Sequence, residues 1–197
     1  MRILIIGATG TIGRAVAAAL LPGNEIVAAS RSKSPITVDI AQPESIKAMY
    51  RAVGPIDAVV SAAGDAKFAP LEQLGDSDFA VSLGNKLMGQ VNLVRYGFGS
   101  VRDGGSFTLT SGVLSQQPMK GSGAISLVNA GLEGFVRAAA LEAPRGIRVN
   151  VVSPPWVTET LIAYGMDPSI GLSAATVARA YVRCVTGSES GAVISPG

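Results

Sequence analysis

The chain has 197 residues, 48% hydrophobic and 15% charged, with 16 basic side chains against 14 acidic ones. That length suits one domain, residues 1–197, with a real core; the balanced charge, without basic runs among aromatics, argues against nucleic acid and anionic membranes as partners. There is no histidine and a single cysteine, Cys184, which removes the commonest general base, the commonest zinc ligand and any internal disulfide, and suits a reducing cytoplasm.

The opening MRILIIGATG joins a short apolar run to a glycine loop, whereas a membrane span needs about 20 apolar residues and a signal peptide a longer apolar centre. In chain order, RILII, EIVAA, ITVDI, IDAVVSA, SFTLT, IRVNVV and AVI are short runs rich in Ile and Val. Most end at Gly, Ser, Asp or Pro, as buried parallel strands do. Between them lie amphipathic segments at Thr11 to Leu21, Pro43 to Val53, Asp76 to Gly97, Ser122 to Ala143 and Ser173 to Val185. This alternation predicts an α/β fold, a parallel sheet wound on both faces. Ligands of such sheets sit beyond the carboxyl ends of the strands, where the strand order reverses, so the residues after each strand carry the functional argument.

After the first run comes GATGTIGRAV, with glycines at 7, 10 and 13. Such glycines permit a tight turn, let a pyrophosphate approach the backbone and let the helix pack near the strand; a tight strand-to-helix turn alone is the plainer alternative. The second run leads into Ser30, Arg31, Ser32 and Lys33. A free ribose would call for an acidic residue there, so a guanidinium and an ammonium beside hydroxyls favour the 2′-phosphate of NADP(H), against the alternative of a solvated basic loop.

GATGTIG, VDI at 38–40, SAAG at 61–64, Asn85 within GNKLMGQVNLV, TSG at 110–112 and RGIRVNVVSPPWVTET at 145–160 follow one another in an order that resembles the short-chain dehydrogenase/reductase family along essentially the whole chain. The resemblance implies a Rossmann-type, doubly wound, mostly parallel sheet of about seven strands. It places Gly7, Thr9, Gly10, Thr11, Ile12 and Gly13 at the cofactor's phosphates, beside Arg31 and Ser32, whose own chemistry puts them at the extra phosphate. Asp39 and Ile40 fall by the adenine, Ser61, Ala62, Ala63 and Gly64 along the ribose, and Pro154 to Val157 at the nicotinamide carboxamide. For Asp39 a turn or helix cap is the competing role. Thr11 stands where the family usually has glycine, Ser61 replaces an asparagine, Pro155 a glycine, and Glu159 a threonine flanked here by Thr158 and Thr160.

The family carries Tyr-x-x-x-Lys on the helix after the fifth strand, one turn apart so that both face the substrate; the lysine lowers the phenol's pKa and the phenol supplies the proton. Register from Gly131 puts Ile125 and Asn129 at those positions, and no tyrosine occurs between Tyr96 and Tyr164. From residue 121 to 132 no side chain titrates. What remains of the family's catalytic set is Ser111, matching the serine that hydrogen-bonds the substrate oxygen, and Asn85, matching the asparagine that kinks a helix and holds a water. A strand-end turn residue is the other reading of Ser111, and a structural amide that of Asn129. Replacement donors are Lys86, Lys120 and Tyr164, each also readable as an exposed charge or a packing ring.

Three functions follow: an NADP(H)-dependent oxidoreductase acting on a small-molecule electrophile by a non-standard proton route, an NADP(H)-binding sensor or partner subunit without catalysis, or a non-redox enzyme on the same scaffold. An activated alkene or an iminium would suit the first, and ordinary ketones would not react. The resemblance also implies a homo-oligomer, dimer or tetramer, through the helices at 76–97 and 122–143, whose small residues at 131, 134 and 138–140 permit close approach.

Overall fold

The apolar runs form seven strands in one sheet: β1 (Arg2–Ile6), β2 (Glu25–Ser30), β3 (Ile36–Thr37), β4 (Ile56–Ser61), β5 (Val101–Thr110), β6 (Arg148–Val152) and β7 (Val193–Ile194). The computed structural model describes residues 1–197, and its strands run in the order β3-β2-β1-β4-β5-β6-β7. Every neighbouring pair is parallel. The α/β fold is thus a doubly wound Rossmann-type sheet, and its order reverses between β1 and β4. The run ITVDI shortens to a two-residue strand because Asp39 turns the chain, its Oδ1 accepting from the Ala41 N–H at 3.0 Å. β5 starts before SFTLT, and its added residues 102–104 are exposed.

Side chains alternate across each strand, so β1 feeds two cores. Leu4 and Ile6 join Phe107, Leu109, Val149 and Val151 under α2 (Pro43–Val53), α4 (Met88–Gly97) and α5 (Gly123–Glu142). Ile3 and Ile5 join Ala58, Val60 and Val152 under α1 (Thr11–Leu20) and α7 (Ala174–Thr186). Seen by length and composition alone, α5 could cross a membrane; here Ala124, Val128, Leu132 and Val136 bury its inner face.

The expected helix from 76 to 97 is broken into α3 (Asp76–Ser82), a π turn (Leu83–Leu87) and α4. A π turn carries an extra residue and so changes which side chains face the sheet ends, a device common at functional sites. Past it, α4 comes close to the core. A Cβ on Gly97 would stand 2.5 Å from the Tyr50 hydroxyl and 2.8 Å from the Phe107 ring, and Tyr50 donates to the Leu93 carbonyl at 2.7 Å. Gly97→Ala should therefore cost about 1–3 kcal/mol by overpacking, read as a lower urea midpoint with an unchanged slope.

Candidate dinucleotide groove and reaction chamber

Two cavities open at the carboxyl ends of β1 and β4, one of about 290 Å³ and one of about 270 Å³. Both are lined by Ala62, Ala63 and Gly64, so together they form one groove across the strand tips. Gly7, Thr9, Gly10, Arg31, Asp39, Ile40 and Asn85 line the first. Ile12, Ser111, Pro154 and Val157 line the second.

Glycine is required where the groove narrows. Gly7 has φ +81°, and a Cβ on it would stand 2.6 Å from the Ala62 carbonyl oxygen. One on Gly13 would stand 2.0 Å from the Gly7 oxygen, so Gly13 lies outside both cavities and serves the docking of α1 onto β1. No side chain caps α1 at Gly10, which leaves its first-turn N–H groups free, the arrangement that receives a phosphate. Thr11 begins that turn and is not part of either cavity wall.

At the far end Arg31 donates to Asp65 at 2.8 Å, both side chains mostly exposed. Such surface pairs are worth about 0–1 kcal/mol, so the guanidinium is easily transferred to a stronger acceptor. Ser32 is exposed and lies outside the cavity. Asp39 holds its own turn through Oδ1, the competing role, while also lining the cavity. Ser61 departs from the expectation. It ends β4 fully buried, outside both cavities, because strand alternation turns its side chain into the core; its carbonyl accepts from Thr110 Oγ1.

In the second cavity Ile125 and Asn129, one turn apart on α5, stand beside Trp156, Pro155, Leu114 and Thr160. Asn129 is 1% exposed; its Nδ2 donates to the Gly112 carbonyl at 3.2 Å, and its Oδ1 is buried without a partner. Of the replacement donors, Lys120 and Tyr164 are exposed and outside this wall, whereas Lys86 is part of it. Lys86 Nζ donates to the Ser111 carbonyl at 3.3 Å, and desolvation lowers its pKa to about 8, against the opposing pull of Asp65. Gly64, at φ +139°, leaves room for it: a Cβ there would meet the Lys86 stem at 3.1–3.3 Å.

Ser111 differs from its expected role. Its hydroxyl donates away from the cavity, to Glu133 Oε1 at 3.1 Å, an atom that also accepts from Ser115 at 2.6 Å and Ser153 at 3.3 Å. With its one proton committed, the Ser111 hydroxyl offers the cavity only lone pairs. Asn85, in the middle of the π turn, accepts at Oδ1 from the Asp65 N–H at 2.8 Å. The roles of three further residues escaped the sequence reading. Gln90, buried on α4, both accepts from and donates to the backbone of Thr110, fixing the residue before Ser111. Glu159 accepts from the Ala174 N–H and caps α7. Glu133 is 4% exposed, and a charged residue type at a core position of an otherwise apolar helix was the signal available for it.

A parallel sheet, a glycine turn at the order reversal and a groove across it define a doubly wound nucleotide-binding protein. The chain belongs to the short-chain dehydrogenase/reductase family: residues 8–195 match the family described as enoyl-(acyl carrier protein) reductase. The crystal structure of the protein lin1944 from Listeria innocua is 41% identical, covering 99% of this chain and 98% of that one, with a TM-score of 0.95. A small-chain dehydrogenase crystallised in complex with NADPH shares the fold at 24% identity, covering 99% of this chain and 95% of its own, with a TM-score of 0.87. Hydroxynaphthalene reductase arp2 of Aspergillus fumigatus is 29% identical over 162 residues, which are 76% of this chain and 59% of that enzyme. The chain spans 47–65% of the length of the curated relatives it matches.

Removing the Glu133 acceptor leaves three serine hydroxyls to find new partners. Two already have carbonyls in reach, Val152 for Ser111 and Gly112 for Ser115, so Glu133→Leu should cost about 1–3 kcal/mol, measured as a loss of unfolding free energy in urea.

Proposed function

We propose that the chain is an NADP(H)-dependent oxidoreductase that reduces a small-molecule electrophile, with a proton route other than the family's tyrosine and lysine. The observation that carries this reading is the continuous groove: two cavities joined at Ala62, Ala63 and Gly64, with a glycine turn beneath, Arg31 at one end and an apolar chamber at the other. The residues fit a dinucleotide. Gly7 and Gly13 keep open a cradle that a Cβ would fill, and the buried Asn129 Oδ1 lacks the donor that a ribose hydroxyl provides. The named reductase among the relatives and the NADPH-bound neighbour support the same reading.

When bound, the reduced dinucleotide supplies a hydride to the electrophilic carbon. The chain's own groups bind and orient. First-turn N–H groups of α1 receive the pyrophosphate, Arg31 exchanges Asp65 for the 2′-phosphate, and Asn129 Oδ1 accepts from a sugar hydroxyl. Pro154 to Val157, with Trp156 in the wall, exclude water from the reacting face. A homo-oligomer through α4 and α5 accords with exposed Met88, Leu127 and Leu141 on those helices.

Trp156 is the only tryptophan and reports on this chamber. NADPH should quench its emission at far lower concentration than NADH. Arg31→Ala should weaken NADPH by about 10–100-fold, the worth of a charge-assisted hydrogen bond, and leave NADH unchanged. Equal responses to both dinucleotides in the unaltered protein overturn the phosphate assignment, and no response to either overturns the cofactor reading.

A further inference from the structure

We propose that Lys86 is the proton donor of this site: its ammonium, in the chamber wall between Gly64 and Ser111, protonates the oxygen of a small aldehyde or ketone as the carbonyl carbon is reduced. The inference rests on the reductase reading above and adds to it the acid and the substrate class; with an acid in the chamber wall, it replaces the expectation that ordinary ketones would not react.

The placement is built rather than incidental. The π turn sets Asn85 and Lys86 in succession at the groove, Asn85 accepting from the Asp65 N–H and Lys86 donating to the Ser111 carbonyl. Gly64 is held at φ +139° with nothing but hydrogen where a side chain would strike the lysine stem. One contact at 3.3 Å uses one N–H of three, so the ammonium has donors left for a ligand. It joins no ion pair of the fold. The charged groups on the elements around it are engaged elsewhere. Asp65, in the loop after β4, is held by Arg31 in the cofactor-free protein, and its charge opposes the desolvation of Lys86 without overcoming it. Glu133 on α5 is turned onto three serines. The α5 residues facing the chamber, Ile125 and Asn129, carry no charge. An amine so desolvated is an acid near neutrality, where proton transfer is most effective.

In the step, the carbonyl carbon would take the hydride that bound NADPH supplies, with NADP⁺ as the oxidised product. The carbonyl double bond becomes single as an O–H bond forms from the Lys86 Nζ–H bond that breaks. The product is the alcohol, and the neutral amine regains a proton from water.

The test uses the full chain. In the protein without cofactor, trace labelling of amines across pH, read by peptide mass spectrometry, should give Lys86 a midpoint near 8; a Lys86 midpoint at the ordinary value for a free lysine side chain, about 10.4, overturns the proposal. A panel of small aldehydes and ketones should be reduced with NADPH. Lys86→Met and Lys86→Arg should each lower kcat by about 10²–10⁴-fold, because neither side chain can release a proton, while quenching of Trp156 by NADPH is unchanged and the melting temperature of Lys86→Met is equal or higher. Lys120→Met should retain full activity. Loss of NADPH quenching in the unaltered protein sinks the reductase reading itself. Retained quenching with no carbonyl reduced, or with Lys86→Met as fast as the unaltered protein, sinks Lys86 alone.

Discussion

The approach of Gly7 to Ala62, where the loops after β1 and β4 part company, is the constraint on which the site depends. A single methyl group on Gly7 would stand 2.6 Å from the Ala62 oxygen, and one on Gly13 would collide with Gly7 itself. Keeping both positions bare lets α1 start directly at the sheet edge with its first turn uncapped. The two strands are hydrogen-bonded neighbours up to Ile6 and Ser61, and the chain then diverges to opposite faces of the sheet. The groove is the space that divergence leaves, and its two chambers share the residues that follow β4.

Much of this was legible in the residues because it rests on local rules. Ile- and Val-rich runs gave the strands, helical spacing gave α2 to the residue, and the glycine spacing marked the turn. What was illegible depends on contacts distant in sequence. No periodicity distinguishes the helix 76–97 from one interrupted by a π turn, although the turn decides where Lys86 goes. Lys86 reads as a solvated charge until Gly64, 22 positions earlier, is seen packed against its stem. Ser111 reads as a donor to substrate until Glu133, from the helix after it, takes its proton. Asp39 and Glu159 are polar residues whose alternative duties, holding a turn and capping α7, emerge only with the folded backbone.

Ser111 links Lys86 in the chamber wall to Glu133 behind it without contributing a proton to the chamber. Its carbonyl accepts from Lys86 and its hydroxyl donates to Glu133, while the Gln90 amide fixes the preceding residue from α4 through two hydrogen bonds. Buried polar groups are costly unless satisfied. Here they are satisfied in a chain that runs from α4 through the end of β5 to α5. Asn129 Oδ1 has no partner, and neither do the hydroxyls of Ser34, Ser61, Ser106 and Thr108; unlike those four, Asn129 lines the chamber, where a ligand can complete it.

On the proposal for Lys86, the same physics lets a lysine take the place the family gives to a phenol. Desolvation opposes charge, so it raises the pKa of a phenol and lowers that of an amine. Both directions occur in this fold: burial pushes Tyr50 and Tyr181 upward and Lys86 down to about 8. A tyrosine facing the apolar stretch of α5 would need a neighbouring cation to become a useful acid, and with Asn129 one turn away it would have none on that helix. An amine in the chamber wall, as Lys86 is, needs no partner to become an acid when it is desolvated. On that proposal the uncharged stretch from 121 to 132 is not a loss: Ile125 and Asn129 give the chamber a wall without charge, and no carboxylate on it opposes the desolvation that lowers Lys86 to about 8.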